Sequence, residues 1–127
     1  MGNWSLGSVS DQVHNFVEGV PSSVSGTPML ALADRKRQFV ENYIDVAIGS
    51  NSIGISHQSI ILNLTIAETL RSMNLIGADV SSISLGDLSI SKGGESNLEV
   101  SAVAFEKRAM EELKVIGWGA RYYKALG

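Results

Sequence analysis

His14 and His57 are the only imidazoles in a chain of 127 residues that contains no cysteine. A metal site built on His57 would need a second histidine or a carboxylate at matching spacing, and His14 falls on a different predicted helix, so metal binding is not expected. The lack of cysteine removes disulfides, thiolate ligands and cysteine nucleophiles together, and it suits a protein assembled in a reducing cytoplasm. Glu111 and Glu112 are adjacent on a predicted helix and diverge, so they do not form a carboxylate pair for acid and base work. The segment Gly49-Ser50-Asn51-Ser52-Ile53-Gly54 is rich in small residues but lacks the Lys and the Ser or Thr that a phosphate loop would supply next. Walker, dinucleotide-binding and nucleophile-elbow motifs are absent from the sequence. Catalysis is therefore not expected, and no cofactor is implied. The sequon at Asn63 lies inside a predicted helix of a chain without a secretion signal and carries no weight.

Asp34-Arg35-Lys36-Arg37 is the densest charged run, and with Glu41 nearby it is expected to be a solvated helix face; contact with a charged partner ring is the functional alternative. The formal charge of −3 and the acidic pI near 5.3 disfavour direct gripping of nucleic-acid phosphates. The amino end has no basic residue before Arg35 and no apolar run of signal-peptide length, so no targeting segment is expected. The most apolar stretch, Ile60 to Ile76, is broken by Glu68 and Arg71 and is shorter than the roughly 20 residues of a bilayer span, so no membrane partner is expected. With 44% hydrophobic and 18% charged residues, the composition is that of one globular domain.

The elements that would carry these residues are mainly helical. Met1 to Ser10 looks like a flexible lead in which Trp4 either folds back onto the domain or meets a partner. Val13, Phe16, Val17 and Val20 recur at helical spacing over Asp11 to Val20, with Ser10 placed to cap. A Ser-rich linker follows Pro21, and Thr27-Pro28 is a cap and first-turn pair. A second helix is predicted from Pro28 to Ile48, lined by Leu32, Phe39, Tyr43 and Val46 and ended by Gly49. A third, capped by Ser56 and running to about Asn74, presents Ile60, Ile61, Leu64, Ala67, Leu70 and Met73 on one side and is the expected core helix. Ser82-Ile83-Ser84-Leu85, Gly86-Asp87 and Leu88-Ser89-Ile90-Ser91 form a palindrome with period-two alternation about a two-residue turn. That pattern specifies a hairpin pairing Leu85 with Leu88 and Ile83 with Ile90, all four aliphatic residues on one face. A lone hairpin is marginal in water, so its apolar face must lie on the helices or on another subunit. Ser96 and Glu99 have capping-box spacing before a fourth helix, Asn97 to Ile116, along which Leu98, Ala102, Phe105, Ala109, Leu113 and Ile116 step by three and four; Gly117 is expected to stop it.

The predicted fold is thus mainly α: a small bundle of about four helices with one β-hairpin and an extended C-terminal tail, organised as residues 1–117 and a tail over 118–127. The tail gathers Trp118, Arg121, Tyr122, Tyr123, Lys124 and Leu126. Aromatic and Arg side chains anchor interfaces best, and a tail that loses entropy on ordering needs a surface to dock against, which is either a partner, the functional reading, or its own domain.

The order of elements, the phrase Val80-Ser81-Ser82-Ile83-Ser84-Leu85-Gly86-Asp87-Leu88-Ser89-Ile90 and the ending Trp118-Gly119-Ala120-Arg121-Tyr122-Tyr123-Lys124-Ala125-Leu126 resemble the head-tail connector, or adaptor, proteins of tailed bacteriophages, over roughly Leu30 to Leu126. Trp118 stands where that family more often has Tyr or a smaller residue. The resemblance implies a structural virion protein of the neck, assembled in the host cytoplasm, that forms a ring of typically twelve copies beneath the portal protein. Such a ring extends the channel for double-stranded DNA without sequence-specific binding and offers a surface to the next stopper or tail protein. It implies portal docking by Trp118, Arg121, Tyr122, Tyr123 and Leu126, and an intersubunit or stopper-facing role for Ile83, Leu85, Gly86, Asp87, Leu88 and Ile90. Subunits of formal charge −3 would, if their acidic faces lined the channel, repel the phosphate backbone and let DNA slide. A stopper or tail-completion protein, for which more strand is expected, and a cellular helical partner-binding protein are the alternatives.

Overall fold

Serine chemistry starts the first helix five residues earlier than the periodicity of its apolar residues suggests. In a computed structural model of the chain, which describes residues 3–77, 82–85, 88–89 and 94–126, with side chains described over 3–77 and 98–117, α1 spans Leu6–Phe16. Ser5 caps it: its hydroxyl accepts from the Ser8 amide at 3.2 Å, and the Ser8 hydroxyl accepts from the Ser5 amide at 3.2 Å. The expected cap, Ser10, is instead buried inside the helix, its hydroxyl donating to Met29 Sδ at 3.3 Å. The expected lead is likewise structured from Asn3 onward. Trp4 and Ile53 exchange backbone hydrogen bonds of 2.9 and 2.8 Å, and the half-buried Trp4 packs against the core.

The second helix, α2, spans Thr27–Ile44 with Gly26 as its N-cap and Pro28 in its first turn. It ends before the predicted Ile48 because Asp45 adopts a left-handed backbone, φ 57°. The chain that follows is recaptured by the helix itself: the Glu41 carboxylate accepts from the Ile48 amide at 2.8 Å, and Arg37 donates to the Ile48 carbonyl at 2.7 Å. The buried stripe is Met29, Leu32, Ala33, Val40 and Ile44, so Phe39 and Val46, expected to line the core, are 42% and 45% exposed.

Helix α3, Ile55–Leu75, is central, packed by α1, α2 and α4. Gly54, not Ser56, is its N-cap. All six apolar residues predicted for its core side are buried, and burial is continuous from Ile60 to Ala67. The polar residues this encloses satisfy themselves locally: Thr65 donates to the Ile61 carbonyl and Thr69 to the Thr65 carbonyl, each at 2.8 Å. Asn63, the sequon residue, is buried.

The hairpin forms as β2, Ser82–Leu85, and β3, Leu88–Ser89, antiparallel with Leu85 opposite Leu88 as expected. The expected partner of Ile83, Ile90, lies outside the described residues. A two-residue strand, β1, Val17–Glu18, extends the end of α1 and pairs Val17 with Ile83, making a three-stranded sheet in the order β1-β2-β3. Helix α4 runs from Gly94 to Leu126. It starts before the predicted Ser96 cap and does not stop at Gly117, so residues 118–126 are helical rather than extended. Leu98, Ala102, Phe105, Ala109 and Leu113 are buried against the bundle as predicted, and Phe105 meets Phe16 edge-on at 6.2 Å between ring centroids. The architecture is mainly helical: a small bundle of four helices carrying one hairpin.

Candidate interaction site

The side chains singled out for chemistry are dispersed by the fold. His57 is half-buried near the start of α3, and burial lowers its pKa from 6.5. His14 is exposed on α1, and no group of His, Asp and Glu able to hold a metal ion occurs among the described residues. Glu112 accepts from the Ser59 hydroxyl at 3.2 Å while Glu111 is exposed, so the adjacent glutamates do diverge. Gly49 and Ser52 close a tight turn that leads Ile53 to Trp4, which accounts for the Gly49–Gly54 segment. Among the described residues no helix is long and apolar enough to cross a membrane.

The basic run on α2 separates into three different environments. Arg37 is held by Asp34 at 2.8 Å and Glu41 at 3.4 Å, Lys36 reaches Glu68 of α3 at 3.3 Å, and Arg35 is exposed. Lys36 begins an ion-pair ladder across three helices, which local periodicity could not reveal. Arg71 of α3 pairs with Glu68 at 3.5 Å, with Glu99 of α4 at 3.6 Å, and through two hydrogen bonds of 2.8 and 3.2 Å with Glu106 of α4. Glu99 serves this ladder, and Ser96, the predicted cap, lies inside α4 and not at its start. The hydrogen bond from Arg71 holds the Glu106 carboxyl below its usual range, and the same bond raises the Arg71 guanidinium pKa.

The ladder ties α2, α3 and α4 together, and Gly117 brings α4 against the last turn of α2. A Cβ on Gly117 would stand 2.8 Å from Tyr43 Cε1 and 3.9 Å from Ile44 Cγ2, so the missing side chain is what lets α4 cross the last turn of α2. Helix α3 begins at the same level, because Ser59, one turn into it, is bonded to Glu112, about one turn before Gly117. Residues 118–126 continue α4 beyond Gly117 for ~13 Å, at about 1.5 Å per residue.

Those are the turns that carry Trp118, Arg121, Tyr122, Tyr123 and Leu126. Their backbone is described and their side chains lie outside the described residues. In the hairpin set, Ile83, Leu85 and Leu88 are placed in strands by the backbone, while Gly86, Asp87 and Ile90 lie outside. Comparison with family models, with curated proteins and with solved structures gives no match.

Proposed function

We propose that the chain is a structural subunit of a virion neck, forming the connector ring that attaches beneath a portal protein, extends the DNA channel and presents a docking surface to the next stopper or tail protein. The observation that carries this reading is the course of α4 beyond Gly117. Helix α4 continues as a helical arm of nine residues beyond its crossing with α2, and Trp118, Tyr122 and Leu126 recur along that arm every four positions, the spacing with which an amphipathic helix offers anchors to a groove. Arg121 and Lys124 add cationic contacts for an acidic rim. The helical state changes how the segment docks relative to the extended tail expected from sequence: it engages as a helix laid into a portal groove. The mixture of a helical body, a short hairpin and a cation-bearing aromatic arm supports an assembly role with no chemistry of its own.

The test is reconstitution with a portal complex, followed by electron microscopy and light scattering, comparing the full chain with one truncated after Gly117. The full chain is expected to add a stoichiometric ring and the truncated chain to leave the portal bare. A full chain that stays monomeric and binds no portal would remove the connector reading.

A further inference from the structure

Every fourth residue of α4 from Val103 to Val115 faces away from the bundle. Val103 is 47% and Val115 72% exposed, and Lys107 and Glu111 between them are exposed too. Ala109, midway along this row in sequence and on the opposite side of the helix, is fully buried, so the row is the outermost line of α4. The other carboxylates described on this helix are taken: Glu99 and Glu106 by Arg71, and Glu112 by the Ser59 hydroxyl. Lys107 and Glu111 enter no ion pair among the described residues.

The order of these four residues identifies what covers them. An identical row laid antiparallel sets Val103 on Val115 and Lys107 on Glu111, and the two-fold symmetry of such a pair makes each contact twice. Laid parallel, the same row would set like charge on like charge. Rows of every fourth residue are also the ridges by which helices most often pack on one another. We propose that two free copies of the chain associate through α4, antiparallel about a two-fold axis between Lys107 and Glu111, with two Lys107–Glu111 ion pairs at the centre and a Val103–Val115 contact at each end. The contact is one helix face wide, so the pair is weak and depends on concentration. An isologous contact is complete at two copies and leaves nothing to propagate, so it is distinct from the ring contact of the connector reading and describes the chain off the portal.

Sedimentation equilibrium of the full chain alone, up to about 1 mM, is expected to show monomer and dimer in exchange. Lys107→Glu or Glu111→Lys is expected to raise the dissociation constant by about tenfold or more, since like charges then face each other twice. The two reversals combined in one chain are expected to restore it, because the exchanged row is again self-complementary; that recovery separates a lost contact from a damaged fold. The absence of cysteine lets orientation be read separately. Val103→Cys chains mixed with Val115→Cys chains are expected to cross-link through a short bis-maleimide, and neither chain to do so alone, because in the antiparallel pair the two copies of either position lie about 18 Å apart along the helix axis. A chain that stays monomeric throughout, a dimer indifferent to both reversals, or Val103→Cys chains that cross-link to one another as readily as to Val115→Cys chains overturns the proposal. These measurements include no portal, so their failure leaves the connector reading as it is; a chain that pairs in this way and yet binds no portal keeps the pair and loses the connector.

Discussion

Arg71 of α3 donates two hydrogen bonds, 2.8 and 3.2 Å, to the carboxylate of Glu106 on α4, joining helices through residues far apart in sequence. Because the folded state holds the Glu106 pKa below its unfolded value, the pair's contribution is fully present above that unfolded value and is lost as pH falls through the folded one. Glu106 is 40% exposed, so solvent screening limits the effect to about 1 kcal/mol or less. Urea unfolding between about pH 6 and about pH 3 is expected to show a falling midpoint, with a smaller fall in Glu106→Gln. An identical acid limb in the variant would mean that the pair is energetically silent. The raised Arg71 pKa has no consequence in this window, because the guanidinium stays charged throughout it.

His57 contributes with the same sign and at higher pH. Burial lowers its pKa below 6.5, so the unfolded chain takes up the proton more readily and stability declines as pH drops through that region. Imidazole proton shifts followed by NMR are expected to place the His57 midpoint below 6.5, and His57→Gln is expected to flatten the stability profile there. A midpoint above 6.5 would show that the ring has found a carboxylate partner and is not simply desolvated.

Phe105 is 1% exposed and sits edge-on to Phe16, at 88° between the ring planes. Phe105→Ala is expected to cost about 3 to 5 kcal/mol through lost burial and the cavity left behind, read as a drop in the urea midpoint at constant slope. Unchanged stability would show that α4 does not seal the core at this point.

These core positions are the part of the fold that a sequence carries in plain view. The six apolar residues named on α3 and the stepping series from Leu98 to Leu113 on α4 are buried because a helix in the middle of a bundle must repeat its apolar residues every turn. The Leu85–Leu88 register follows from a two-residue turn inside an alternating palindrome. What is not visible depends on partners distant in the chain. Ser10 looks like a cap until Met29 claims its hydroxyl, and Glu99 looks like the far half of a capping box until Arg71 claims its carboxylate. Gly49 looks like the stop for α2, but Asp45 turns the chain first and Glu41 with Arg37 holds it there. The arm was legible in composition, as a concentration of Trp, Tyr and Arg, but not in conformation.

Gly117, the expected stop of α4, gives the sharpest test. Glycine inside a helix costs about 1 kcal/mol relative to alanine, so Gly117→Ala would stabilise an unencumbered helix. Here the added methyl would lie 2.8 Å from Tyr43 Cε1, closer than carbon atoms approach, and a tight 3.2 Å from Cδ1, so either the ring must leave its position or α4 must tilt away from α2. The two terms oppose, and the clash is expected to win: overpacking of this kind costs about 1 to 3 kcal/mol, and tilting would also redirect residues 118–126. Gly117→Ala is expected to lower the urea midpoint and, on the proposed connector function, to weaken portal binding, while the double variant Gly117→Ala with Tyr43→Ala should regain part of both because the methyl then has room. A single variant more stable than the parent, with unchanged portal binding, would show that α4 does not depend on the close crossing of α2 to direct its final turns.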